Sequence, residues 1–237
     1  MTERATTLVI LPTYNERENL PIALASLFAH NPQVHALVVD DASPDDTGEL
    51  AASMARADER IHVLNRMSKQ GLGKAYLAGF DWAFKRGYDY VVEMDADSSH
   101  RAQDLPAMLD AAKTADLVIG SRWARGGAVE NWPIGRQLLS RGGNFYARVL
   151  LRSKIHDLTA GFRVFRASAL KTIDLENVAA QGYSFQVEMA WRFERASLTV
   201  VEVPITFVER VNGVSKMSSA IVREALWLIT RWGLTGK

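Results

Sequence analysis

The sequence predicts an α/β fold built on one mostly parallel sheet, and three observations carry that expectation. Short apolar runs alternate with stretches whose apolar residues recur at helical spacing. The runs are continuous, as in strands buried on both faces, and acidic and turn-forming residues gather just past them, where open α/β sheets hold their ligands. With 237 residues, 48% of them hydrophobic, the chain can bury a full core, and no repeat, low-complexity tract or linker divides it.

Thr7-Leu8-Val9-Ile10-Leu11 reads as the first strand. A helix through Leu20, Ala23, Leu24, Leu27 and Phe28 follows, with Pro21 in the first turn, where a missing N–H is tolerated. Ala36-Leu37-Val38-Val39 is the second strand, after which Ser43 as N-cap, Pro44 at the first helical position and Asp46 three residues past the cap open a second helix. Ile61-His62-Val63-Leu64 is a short third strand. Gly71 and Gly73 then lead into a helix through Ala75, Ala78, Trp82 and Ala83, and Tyr90-Val91-Val92 begins a strand expected to end at Asp95. Leu105, Met108, Leu109 and Ala112 mark another helix, and Leu117-Val118-Ile119 a further strand.

Residues 136–152 differ in kind. On a helical wheel Arg141, Arg148 and Arg152 share a stripe beside Leu138, Leu139, Phe145, Tyr146, Val149 and Leu150, which suits either a membrane interface or a core-facing helix with a solvated basic edge. Gly142-Gly143 argues against a straight helix there. Near the end of the chain Ile221, Ala225, Leu228, Ile229 and Trp232 share a face, suited to docking on the domain or on a membrane.

Composition narrows the function classes. Without cysteine there is no disulfide framework, zinc-thiolate site or thiol nucleophile, a composition compatible with a reducing compartment. Met1-Thr2-Glu3-Arg4 leads into a five-residue apolar strand and not into a long apolar signal segment, and no apolar run approaches the about 18–20 residues of a membrane span. Residues 1–121 hold 11 Lys and Arg against 18 Asp and Glu, residues 122–166 hold 9 against 2, and the remainder 8 against 7. That concentration argues against a uniformly basic nucleic-acid binder and for a cationic patch with a local target, such as phosphate or an anionic membrane surface.

Glu93-Met94-Asp95-Ala96-Asp97 is the most informative stretch. Alternation along a strand would direct Asp95 and Asp97 to one side, where two carboxylates can hold a hard divalent ion whose open positions diphosphate oxygens fill. Around it stand candidates for the rest of a nucleotide-sugar site. Tyr14 and Glu16, after the first strand, suit a nucleobase; Asp41, ending the second, suits base or ribose; Arg122, Arg210 and Lys216 supply positive charge.

Pro12-Thr13-Tyr14-Asn15-Glu16, Val39-Asp40-Asp41, Gly71-Leu72-Gly73-Lys74-Ala75, Asp95-Ala96-Asp97, Gly120-Ser121-Arg122, Thr159-Ala160-Gly161-Phe162-Arg163 and Arg210-Val211-Asn212-Gly213-Val214-Ser215-Lys216-Met217 occur in this order. With them the chain, from about Thr7 to Met217, resembles the family 2 glycosyltransferases of GT-A fold, and within them the polyprenol monophosphomannose synthases. The resemblance implies inverting transfer of mannose from GDP-mannose to a polyprenyl (dolichyl-type) phosphate at the cytoplasmic face of a membrane, with Mg²⁺ or Mn²⁺.

It also implies that Pro12, Tyr14, Glu16, Val39 and Asp41 surround the nucleoside, that Asp95, Ala96 and Asp97 meet ribose, diphosphate and metal, and that Arg122, Arg210 and Lys216 meet the donor and acceptor phosphates. Ser99 stands where some relatives place Gln and is a candidate metal ligand acting through water. Arg136, Arg141, Arg148 and Arg152 are the candidates for acceptor and membrane contact. The expected organisation is a glycosyltransferase domain over 1–217 and an amphipathic helix over 218–237, as in short forms that sit peripherally on the membrane or use a separate anchoring subunit.

A phosphate monoester is already anionic at neutral pH, so it needs positioning and charge relief and no general base. Asp157 contacts the sugar or attacking phosphate, or else hydrogen-bonds structurally. Two competing readings keep the nucleotide-sugar site: a polyprenyl-phosphate transferase using another donor such as UDP-glucose, and a catalytically silent binding subunit. A dinucleotide oxidoreductase fits poorly, since Pro12-Thr13-Tyr14 stands where a glycine-rich phosphate loop would be.

Overall fold

A computed structural model of the chain describes residues 5–178, 182–209 and 219–236. In chain order the elements are β1 (Thr7–Thr13), α1 (Leu20–His30), β2 (His35–Asp40), α2 (Thr47–Ala57), β3 (Ile61–Asn65), α3 (Leu72–Arg86), β4 (Tyr90–Glu93), α4 (Leu105–Ala111), β5 (Leu117–Ser121), β6 (Ala128–Glu130), α5 (Ile134–Leu151), β7 (Arg163–Arg166), α6 (Ala167–Leu170), α7 (Tyr183–Arg195), β8 (Val200–Pro204), β9 (Thr206–Val208) and α8 (Ser219–Thr235). Seven strands form one sheet in the order β3-β2-β1-β4-β7-β5-β8, with β7 antiparallel to both neighbours and every other pairing parallel. β6 and β9 make a separate parallel pair.

The continuous apolar strands occupy the middle because both their faces are covered. Along β1, Leu8 and Ile10 join a core with α3, α5, α7 and α8, while Val9 and Leu11 join another with α1, α2 and α4. α3 lies especially close: a Cβ on Gly79 would come within 2.7 Å of Ile10 Cδ1, so only glycine lets the helix rest on the central strand.

Several boundaries differ from those the sequence suggests. β1 runs on through Pro12 and Thr13, because Thr13 Oγ1 donates to Asp40 Oδ1 at 2.9 Å and continues the pairing with β2. α2 begins at Thr47 and not after Ser43: Asp46 takes a left-handed conformation (φ 63°), and it is Asp45 that accepts from the Thr47 N–H at 3.1 Å. Ser43 instead donates to Asp40 Oδ1 at 2.6 Å, tying the loop to the end of β2.

β4 ends at Glu93, two residues short of the expected boundary, so Asp95 and Asp97 belong to a turn and strand alternation does not orient them. β7, α7, β8 and β9 were not signalled by periodicity. α5 runs through Gly142-Gly143 without a break, and its expected apolar face divides: Leu138, Leu139, Phe145 and Val149 are exposed, whereas Tyr146 and Leu150 pack toward the core. On α8, Leu228, Ile229 and Trp232 are buried against α5 and α7, with the Trp232 ring stacked on Trp191 at 5.7 Å. The side chain of Ile221 lies outside the described residues.

Candidate active site

Where β1, β4 and β5 end, a cavity of about 490 Å³ opens and runs to α5 and α8. Its walls are of two kinds. Glu16, Lys69, Asp95, Asp97, Arg122 and Arg136 bring charge, while Leu139, Tyr146, Ala225, Leu226 and Ile229 bring apolar surface.

The turn after β4 is built around its carboxylates. Asp97 Oδ1 accepts from the Ser99 N–H at 3.1 Å, and Ser98, at φ 62°, reverses the chain. The Asp95 N–H donates to His100 Nδ1 at 3.0 Å, which leaves Nε2 to carry the proton of a neutral ring. His100 is held by stacking on Phe162 at 5.1 Å and by the edge of Phe207 at 5.4 Å. Asp97 and Ala96 are buried and the Asp95 side chain is about one-third exposed, so the pair meets the cavity from a fixed loop. Ser99 Oγ is buried with no hydrogen-bond partner among the described residues, and Ser99 does not line the cavity.

Arg122 follows β5 and is locked by Asp157. Asp157 Oδ2 accepts from Arg122 Nε at 2.8 Å and from its backbone N–H at 2.9 Å, and Oδ1 accepts from Nη2 at 2.7 Å. Asn144 Nδ2 and Thr159 Oγ1 complete the cluster around Oδ1 at 3.3 and 3.2 Å. Burial by itself would raise the Asp157 carboxyl, but the adjoining Arg122 guanidinium outweighs it and holds the group below its ordinary value. Asp157 is completely buried, and the hydrogen bonds of its carboxylate run to Arg122, Asn144 and Thr159. Arg122 also lies among the rings of Trp132 and Phe207, 5.4 and 5.7 Å from their centroids.

At the nucleoside end, Pro12 and Glu16 line the cavity, and Glu16 Oε2 accepts from Asn19 Nδ2 at 2.8 Å. Tyr14 is half-buried beneath Lys69, whose Nζ is 3.8 Å from the ring centroid. Asp41 follows the last residue of β2 and pairs with Arg66 at 2.5 Å; burial raises its carboxyl, with Arg66 opposing. The Val39 side chain is fully buried in the core, which leaves its backbone as the part that can meet a ligand.

The basic stripe of α5 is likewise not uniform. Arg136 pairs with Glu209 and lies 4.2 Å from the Trp132 centroid, Arg141 lies 4.5 Å from the Trp123 centroid, Arg148 is half-buried, and Arg152 ends the helix in a left-handed conformation (φ 54°). Arg210 and Lys216 lie outside the described residues.

The family model for glycosyl transferase family 2 matches residues 8–174. The chain belongs to glycosyltransferase family 2. It is 54% identical over 233 residues to a polyprenol monophosphomannose synthase of Mycolicibacterium smegmatis, covering 98% of this chain and 88% of that one. It is 52% identical over 230 residues to an undecaprenyl-phosphate mannosyltransferase of Micrococcus luteus, covering 97% and 95%. Among solved structures, a mannosyltransferase from Pyrobaculum calidifontis in complex with GDP-Man and Mn²⁺ shares the fold with a TM-score of 0.57 at 16% identity, covering 98% of this chain and 73% of that one.

The cavity of this family 2 glycosyltransferase also holds side chains that the sequence reading missed. Lys69 and His100 stand within a few residues of recognised motifs, and proximity alone was the available signal. Trp132, Ser184 and Gln186 are brought in by β6–α5 and α7, whose sequence carries no motif pointing to the site.

Proposed function

We propose that the chain transfers mannose from GDP-mannose to a polyprenyl phosphate, with inversion at the anomeric carbon. The observation that carries this reading is a single cavity joining two carboxylates and a locked arginine to apolar walls on α5 and α8, the chemistry of a charged donor and a lipid acceptor. The printed names of relatives 54% and 52% identical over nearly the whole chain state that substrate class.

Asp95 and Asp97 fit a hard divalent ion, Mg²⁺ or Mn²⁺. Ions of this kind take one or two carboxylates and complete their shell with substrate phosphate and water. The Pyrobaculum neighbour binds Mn²⁺ with GDP-Man. Such an ion supplies positive charge to the departing diphosphate.

The chain's own residues then have distinct tasks. Pro12, Tyr14, Glu16 and Asp41, with the backbone of Val39, border the nucleoside. Arg122, its guanidinium fixed by Asp157, neutralises phosphate charge without having to reorganise. Arg136 and, by the resemblance, Arg210 and Lys216 hold the phosphates. The acceptor oxygen attacks the anomeric carbon as an anion, so Asp157 remains a positioning residue and takes no proton.

The exposed Leu138, Phe145 and Val149 of α5 and Leu226, Trp227 and Leu234 of α8 seat the protein peripherally on the cytoplasmic face of a membrane, with a separate anchoring subunit compatible with that arrangement. Among the described residues no helix is long and apolar enough to cross one. Purified chain incubated with labelled GDP-mannose, polyprenyl phosphate and Mg²⁺ should move label into the organic phase, and GDP should compete better than UDP. Label remaining in the aqueous phase, or stronger competition by UDP, would overturn the reading.

A further inference from the structure

The first turn of α7 contributes polar side chains that the site as described above does not use. Ser184 and Gln186 are almost wholly buried, yet Ser184 Oγ and both polar atoms of the Gln186 amide have no hydrogen-bond partner among the described residues. Gln186 reaches toward Glu93, two residues before Asp95, without full hydrogen-bond geometry. Folded proteins leave few buried polar groups unsatisfied, and those that line a cavity are placed to meet water or a ligand there. Both residues line the cavity that contains Asp95 and Asp97.

The chemistry of these atoms defines the partner. A serine hydroxyl donates and accepts, and a carboxamide donates twice and accepts, but neither carries charge. They are suited to neutral hydroxyl groups and less to phosphate, for which the cavity already holds Arg122, Arg136 and Lys69. The nucleoside is accounted for at the β1 and β2 ends and the diphosphate at the Asp95–Asp97 turn. What remains of the donor is its hexose, a ring of neutral hydroxyls next to that turn.

We propose that Ser184 and Gln186 form the recognition surface for the hydroxyls of the transferred sugar and thereby set donor specificity. This rests on the mannosyl-transfer reading, and the experiment separates the two. Purified full-length chain is titrated calorimetrically with GDP and with GDP-mannose in the presence of Mn²⁺. If the wild type fails to bind GDP-mannose, the transfer reading itself fails.

Given that binding, Ser184→Ala and Gln186→Leu should each leave the GDP affinity within about 2-fold while weakening GDP-mannose by about 10-fold, the scale of a lost hydrogen bond that strands a buried partner. Donors lacking one sugar hydroxyl should bind the wild type more weakly and should no longer be discriminated by the corresponding variant. Retained GDP binding certifies the fold; should Gln186→Leu not fold, Ser184→Ala decides, since it removes one oxygen only. Equal weakening of GDP and GDP-mannose, or no change in either, overturns the proposal and assigns these atoms to ordered water or to packing.

Discussion

Replacing Asp157 by alanine should cost stability before it costs chemistry. The substitution leaves the Arg122 guanidinium, itself buried, without the three hydrogen bonds at 2.7, 2.8 and 2.9 Å that now satisfy it and its backbone. Stranding one member of a buried ion pair costs about 3–5 kcal/mol. At about 2–4 °C per kcal/mol for a chain of this size, Tm should fall by about 6–20 °C. The double variant Arg122→Met, Asp157→Leu removes both charges and should recover much of that loss, because neither partner is left unpaired. Thermal unfolding of the single and double variants, followed by circular dichroism with turnover measured on the same samples, tests the account. An Asp157→Ala protein with wild-type Tm and no turnover would make Asp157 a group that touches substrate, and the positioning role argued from its burial would be wrong.

The same pair has a pH signature. The folded Asp157 carboxyl lies below its ordinary value of 3.8, so its contribution is fully present above that value and is lost as pH falls through the lower folded one. Acid titration should therefore destabilise the wild type more steeply below about pH 4 than it does the Arg122→Met, Asp157→Leu protein. Asp97→Ala should abolish transfer and a chelator should mimic it reversibly; full activity in either case would refute a metal-dependent reaction. Arg141, Arg148 and Arg152 changed together to Glu should release the protein from anionic liposomes, at about 1 kcal/mol for each basic side chain near the surface. Undiminished binding would transfer the membrane contact to the exposed Trp227 and Leu234 of α8. Trp232→Ala opens a void beneath α8 against Trp191 and should cost about 3–5 kcal/mol, measurable by denaturant unfolding.

The sequence was most legible where burial is two-sided and uninterrupted. β1, β2 and β5 are continuous apolar runs, and their ends carry motif residues that the fold gathers at one edge of the sheet. Charge hid the rest. Arg163 is fully buried as the cross-strand neighbour of Glu93, and burial lowers its guanidinium to about 10 and pushes Glu93 up to about 7. A strand that starts on a buried arginine has no hydrophobic signature, so β7 was invisible. α7 misleads differently: Ser184-Phe185-Gln186-Val187-Glu188-Met189 alternates polar and apolar residues as a half-buried strand would, yet it lies in a helix and all six residues are buried, so the alternation does not mark a solvent face. Val39 shows a different limit: motif membership does not tell that its side chain is buried in the core and only its backbone is left for a ligand.

The reversed direction of β7 has a consequence for synthesis. β4 and β5 do not pair with each other; each pairs with β7, whose residues 163–166 leave the ribosome long after 90–93. Until then β4 and β5 have no strand to pair with between them. Insertion of β7 closes that gap and carries the preceding loop, with Asp157 and Thr159, to the ligand edge, because a reversed strand begins where its neighbours end. A chain stopped before residue 163 therefore carries Asp157 but lacks the strand that joins β4 to β5 and sets that carboxylate beside Arg122, so one reversed strand serves both the sheet and the site.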